Sequence, residues 1–105
     1  MTITLETIQD YARRIAERFN PVKIILYGSY AYGHPTEASD LDLLVIMNYE
    51  GHCLDIARSI KRALDLPSYA HLLVKPPEEV AWRYTGGEAL NKGKVLYERP
   101  ATGHL

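Results

Sequence analysis

Apolar side chains recur three and four positions apart at Leu5, Ile8, Ala12, Ile15, Ala16 and Phe19, with charged and polar residues between them. That spacing places the apolar set on one stripe of a helix over 5–19, and Thr4 stands where its N-cap belongs. Asn20-Pro21 ends the helix, because proline disfavours α geometry in the residue before it. The pattern then changes: Val22 to Tyr27 suits a strand, Gly28-Ser29 breaks it, and 31–39, with Gly33, Pro35 and Thr36, reads as a loop. Leu41 to Met47 is a second, strongly apolar strand. Helical spacing returns at Cys53, Ile56, Ala57, Ile60, Ala63 and Leu64, with Arg58, Lys61 and Arg62 facing elsewhere, in a helix that ends near Pro67.

Tyr69 to Val74 predicts a third strand. Pro76-Pro77-Glu78-Glu79 opens a short helix, since proline is tolerated in a first turn and carboxylates suit the positive end of the helix dipole. After Gly86-Gly87, Glu88 to Lys92 is a further helical candidate with Gly93 as its stop, Val95 to Tyr97 adds a short edge strand, and the tail from about residue 100 is expected to be loose. Alternating helices and strands without an internal repeat argue for an α/β sandwich on a small sheet.

The chain has 105 residues, the size of a single domain, so one unit over 1–105 is expected. Twelve Lys and Arg balance thirteen Asp and Glu, for a formal net charge of -1, so the basic field that non-specific nucleic-acid binding needs is missing and no nucleic-acid partner is required. The single cysteine, Cys53, leaves no intrachain disulfide or cysteine-based zinc site and is expected as a buried thiol. The N-terminus is charged throughout, and the longest apolar run, Leu43 to Met47, is far short of a membrane span, so no membrane partner and a cytoplasmic location are expected.

The informative segment runs from Leu26 to Ile46. Gly28-Ser29 directly follows a strand; a glycine there lets backbone approach a ligand closely, and a helical turn beginning after it would aim free N–H groups and a hydroxyl at a phosphate. Asp40 and Asp42 stand two residues apart at the mouth of the next strand, so period-two alternation aims both carboxylates to one side of the sheet. Two like charges held close repel unless a cation lies between them, and a hard divalent ion such as Mg2+ takes oxygen ligands of this kind. Ten residues separate Ser29 from Asp40, enough for the chain to return beside the first strand and bring the turn within reach of the ion.

The Gly-Ser pair, the ten-residue spacer and Asp-Leu-Asp resemble the minimal nucleotidyltransferases of the DNA polymerase beta superfamily, which include antitoxins paired with HEPN toxins. The pattern of helices and the closing Gly-Lys-Val-Leu-Tyr-Glu extend the resemblance over most of the chain. It implies an α/β nucleotidyltransferase fold with a small mixed sheet packed against helices on one side. It also implies binding of ATP with Mg2+ and transfer of AMP to a hydroxyl, which in the antitoxin members is a toxin tyrosine. Carried over by position, Gly28 and Ser29 would hold the terminal phosphates, and Asp40 and Asp42 the metal ions.

The family places a third carboxylate on the following strand, where it helps hold the metal and accepts the attacking hydroxyl's proton. This chain has His71 there. A neutral imidazole is a softer ligand that adds no negative charge, so two functions stay open: an enzyme with His71 as general base, or a catalytically impaired binding module that neutralises a partner by forming a complex. Asp65 is the nearest spare acid, but its place at a helix end favours a surface or capping role.

Tyr30 and Tyr32 follow the phosphate-binding pair where many relatives carry arginine; they either stack on a base or pack against the loop, and tyrosine's habit of burying its ring favours packing. His34, His52 and His104 read as surface residues without metal-like spacing. Ser39 either orients Asp40 or opens the strand. Trp82 and Tyr84 are either core or a partner contact, and without the helical domain that larger nucleotidyltransferases use, something else must present the acceptor.

Overall fold

A computed structural model describes residues 4–32, 40–79 and 93–99. In chain order they form α1 (Leu5–Phe19), β1 (Lys23–Tyr27), the short α2 (Ser29–Tyr32), β2 (Leu41–Ile46), α3 (Cys53–Leu64), β3 (Ala70–Lys75) and β4 (Lys94–Glu98). The strands make one sheet in the order β3-β2-β1-β4. β1 is antiparallel to both β2 and β4, whereas β2 and β3 run parallel, joined by the α3 crossover that parallel pairing requires. The sheet is therefore mixed, as the sequence resemblance implies.

Both long helices begin and end at residues suited to those places. The Thr4 hydroxyl accepts from the Thr7 N–H at 3.1 Å, and Asn20 closes α1 in the left-handed conformation with its N–H donating to the Ala16 carbonyl. α3 opens on His52, whose Nδ1 accepts from the Leu54 N–H at 3.1 Å, and closes on left-handed Asp65, after which the Leu66 N–H donates to the Lys61 carbonyl. Asp65 is thus a cap, and His52, read from sequence as a surface residue only, is an exposed cap as well.

The side chains sort by strand alternation into two layers. Ile24 and Leu26 of β1, Leu41, Leu43 and Val45 of β2, and Ala70 and Val74 of β3 join Ile8, Ala12 and Ile15 of α1 and Ala57, Ile60 and Leu64 of α3 in the main core. Each fully buried Leu or Ile among them stabilises the fold by about 1.5–3 kcal/mol. On the opposite face Ile25, Leu44 and Ile46 form a smaller buried cluster with Val22 and Tyr27 against it. Gly93 leads into β4 where a Cβ would lie 2.5 Å from Ile25 Cγ2, so the glycine allows β4 to close on β1.

Several expectations shift. Leu5 belongs to the apolar stripe by spacing yet is 42% exposed, because it begins the first turn of α1 beyond the edge of the packed layers. Cys53 is half-buried rather than buried, since it is the first residue of α3. Ala31 and Tyr32, expected in a loop, belong to α2, whose Ala31 N–H donates to the Gly28 carbonyl at 3.0 Å. Val22, Met47 and Tyr69 flank strands without belonging to them; β3 runs one residue further than the periodicity marks, and β4 one residue further at each end. A helical turn at 77–79 agrees with the Pro76-Pro77-Glu78-Glu79 reading. The loop residues Gly33, His34, Pro35, Thr36 and Ser39, the Gly86-Gly87 break, the 88–92 helix, Trp82, Tyr84, His104 and the tail lie outside the described residues. Among those described, no helix is long and apolar enough to cross a membrane.

Candidate functional site

The candidate residues meet at one corner of the sheet, on the face away from α1 and α3. Tyr27, the last residue of β1, pairs with Asp42 of β2, and Asp42 pairs in turn with His71 of β3. Because partners across a sheet share a face, Tyr27, Asp42 and His71 project together. The reason is topological: β1 ends at the corner where its antiparallel neighbour β2 begins, and the parallel β3 begins at the same end.

Gly28 follows Tyr27 with φ at +75°, a left-handed conformation natural to glycine. A Cβ built on it would lie 2.7 Å from Asp42 Oδ2, so the turn backbone approaches the carboxylate closely. Ser29 then opens α2. The Gly28-Ser29 turn and Asp42 are thereby brought side by side.

Asp40 stands just before β2 and its carboxylate reaches His71, with Oδ2 3.3 Å from Nε2. Both side chains are more than half exposed, at 56% and 59%, so solutes can approach them. Leu41, between the two aspartates, points into the core, and its N–H donates to the Tyr69 carbonyl at 3.0 Å. That bond anchors the start of β2 against the approach to β3.

Beside these groups lies a cavity of about 390 Å3 whose walls include Tyr27, Asp42, Leu44, His71 and Leu73. Leu44 and Leu73 were not singled out by sequence reasoning; the available signal was alternation, since each lies two residues beyond Asp42 or His71 on the same face. Across the sheet, Tyr30 packs against the main core, while the loop it was expected to pack against lies outside the described residues. Burial, reinforced by Tyr30 and then Tyr11, pushes the Tyr69 phenol above its ordinary value.

The polymerase beta nucleotidyltransferase family model matches residues 6–102, nearly the whole chain. The chain belongs to that family. A Sulfolobus solfataricus protein provisionally described as a nucleotidyltransferase superposes with a TM-score of 0.66 at 17% identity, covering 96% of this chain and 86% of that one. At such low identity the likeness speaks for the fold, and the architecture is the α/β nucleotidyltransferase fold. A comparison with curated proteins gives no significant match.

Nucleotidyltransferases as a family pair a nucleoside triphosphate with a divalent cation, so the donor set bears on chemistry. Among the described residues no group of three or more His, Cys, Asp or Glu side chains is already gathered around a metal-sized space. What the corner offers is exposed Asp40 with exposed His71 beside it, and half-buried Asp42 two residues on and paired with His71 across β2–β3: two carboxylates and an imidazole of a chemistry that suits a divalent ion.

Proposed function

We propose that this nucleotidyltransferase domain transfers AMP from ATP to a hydroxyl of a partner protein, a tyrosine on a HEPN-type toxin, and so acts as a cytoplasmic antitoxin. The observation that carries the transfer reading is the meeting of the Gly28-Ser29 turn with Asp42 across β1 and β2. In this reading the turn grips the terminal phosphates and Asp40 and Asp42 hold Mg2+ or a related ion. When bound, such an ion screens phosphate charge and favours the ionised acceptor oxygen.

The acceptor oxygen forms a bond to the α-phosphorus, the bond from that phosphorus to the bridging oxygen breaks, and pyrophosphate leaves. The hydroxyl proton passes to the imidazole of His71, which stands beside Asp40 and acts as general base in this reading. The partner acceptor is argued from the antitoxin resemblance.

One observation favours a second reading. By the sequence resemblance His71 stands where the family carries its third carboxylate, and it is engaged with Asp40, which suits a domain that has given up catalysis and neutralises its partner by binding. The two separate cleanly. Radiolabelled ATP, a purified HEPN-type toxin and wild-type chain should give a labelled toxin, and Asp42→Asn should reduce labelling about hundredfold or more. No label with any divalent cation rejects the transferase reading, and unchanged neutralisation by the Asp40→Asn, Asp42→Asn double variant establishes the binding module.

A further inference from the structure

Beyond the Asp42–His71 pair, the next side chains on that face of the sheet are Leu44 and Leu73, which are direct partners across β2 and β3. With Ile25, the β1 partner of Leu44, they form a row whose exposure runs from 0% at Ile25 through 2% at Leu44 to 48% at Leu73. The corner row opens the same way, from half-buried Tyr27 and Asp42 to exposed His71. Among the described residues β3 is the outer strand on that side. The cavity of about 390 Å3 walled by Leu44 and Leu73 thus opens toward the β3 edge, while the Gly28-Ser29 turn follows β1 on the other side of Asp42.

We infer that this cavity is the acceptor subsite, with Leu44 and Leu73 as specificity-determining residues that select a hydroxyl carried on an aromatic ring over one on a short aliphatic side chain. The inference rests on the transferase reading and names the residues that choose its acceptor.

The layout of the corner sets the side from which the acceptor comes. In-line displacement places the entering oxygen opposite the leaving pyrophosphate. With the terminal phosphates on the Gly28-Ser29 turn and the α-phosphorus beside Asp42, pyrophosphate departs toward β1 and the acceptor enters from β3. The 5′-oxygen that carries the nucleoside lies across that line rather than on it, which leaves the β3 side clear.

Reach then sets the acceptor's shape. From the His71 position to the Leu73 position is about 6.6 Å along a strand, close to the span from a tyrosine hydroxyl to its Cβ. A phenol oxygen at the corner therefore lays its ring over Leu44 and Leu73, with Tyr27 as a further wall. A serine or threonine hydroxyl, one bond from Cβ, would draw the acceptor's main chain into the corner and leave the cavity unfilled. Filling an apolar pocket of this kind discriminates by about tenfold or more.

The test reads binding without turnover. Methyl NMR on the full chain, with MgCl2 and α,β-methylene-ATP present, is followed during titration with N-acetyltyrosinamide or N-acetylserinamide. The tyrosine amide should shift the Leu44 and Leu73 methyl resonances, and the serine amide should leave them in place. Leu73→Gln should weaken tyrosine-amide binding about tenfold without changing the Kd of the nucleotide analogue, and Leu73→Met should restore it. In a labelling assay, Leu73→Gln should raise KM for the tyrosine amide more than it lowers kcat. Equal shifts from both amides, or none from the tyrosine amide, overturn the inference in the wild type alone, whether or not a variant folds. Weakened nucleotide binding in Leu73→Gln also overturns it, by giving the cavity to the base. If the tyrosine amide seats against both leucines but no partner is labelled, the proposed function fails and the aromatic subsite stands; if a partner is labelled while neither leucine responds, the function stands and the inference fails.

Discussion

Gly28 faces Asp42 so closely that a single added carbon would sit 2.7 Å from the carboxylate oxygen Oδ2. The glycine is required twice over, by that approach and by its backbone angle of +75°. Gly28→Ala should therefore destabilise the fold by about 1–2 kcal/mol, the usual penalty for a side chain in left-handed geometry. Nucleotide transfer should fall further than the lost stability explains, because the carboxylate is displaced. Urea titration beside a labelling assay at a temperature where the variant stays folded separates the two effects.

Ile15 and Leu5 share a helix and a spacing pattern but not an environment, being 0% and 42% exposed. Ile15→Ala should cost about 2–5 kcal/mol, whereas Leu5→Ala should stay within about 0.5 kcal/mol. Comparable shifts in the urea midpoint for both would show that the first turn of α1 is packed in solution.

His52 caps α3 through its ring nitrogen. His52→Ala should lower stability by about 0.5–1 kcal/mol, and His52→Ser should recover it, since a hydroxyl at the cap also accepts from a free N–H of the first turn. Thermal melts of the three proteins decide this; a serine variant no better than alanine would mean that the imidazole does not act as a cap.

Tyr69 should make the fold sensitive to alkali. Its phenol is pushed above the ordinary value of 10.0 by burial and by Tyr30 and Tyr11. Below about pH 10 both folded and unfolded chains keep the proton and the group contributes no pH dependence. Above it the unfolded chain loses its proton first, so stability falls as pH rises through the higher folded value. The difference in stability between wild type and Tyr69→Phe should be flat up to pH 10 and shift against the wild type beyond it. Ultraviolet titration of phenolate should show the missing tyrosine among those that ionise late.

The local elements were legible in the sequence where local rules act. α1 was readable to the residue because Thr4 and Asn20-Pro21 mark both ends, and β2 to within one residue because its apolar run starts within Asp-Leu-Asp. Pairing was not legible. Nothing local states that β4 joins β1 or that β1 lies between β2 and β4, since those choices depend on distant segments. The nearness of Gly28 to Asp42 could be argued from the ten-residue return. The 3.3 Å contact between Asp40 and His71 could not, because it depends on how β3 is aligned beside β2. Likewise Ile25, Leu44 and Ile46 read as generic strand residues until alternation places them on the face opposite the main core.

That alignment has a consequence for how such a protein can change. Sliding β3 by a single position against β2 would bring Ala70 or Leu72 opposite Asp42 and turn the histidine ring toward the helices. No replacement at the corner itself would be needed to erase its chemistry. An insertion or deletion in the turn between α3 and β3 would do it in one step.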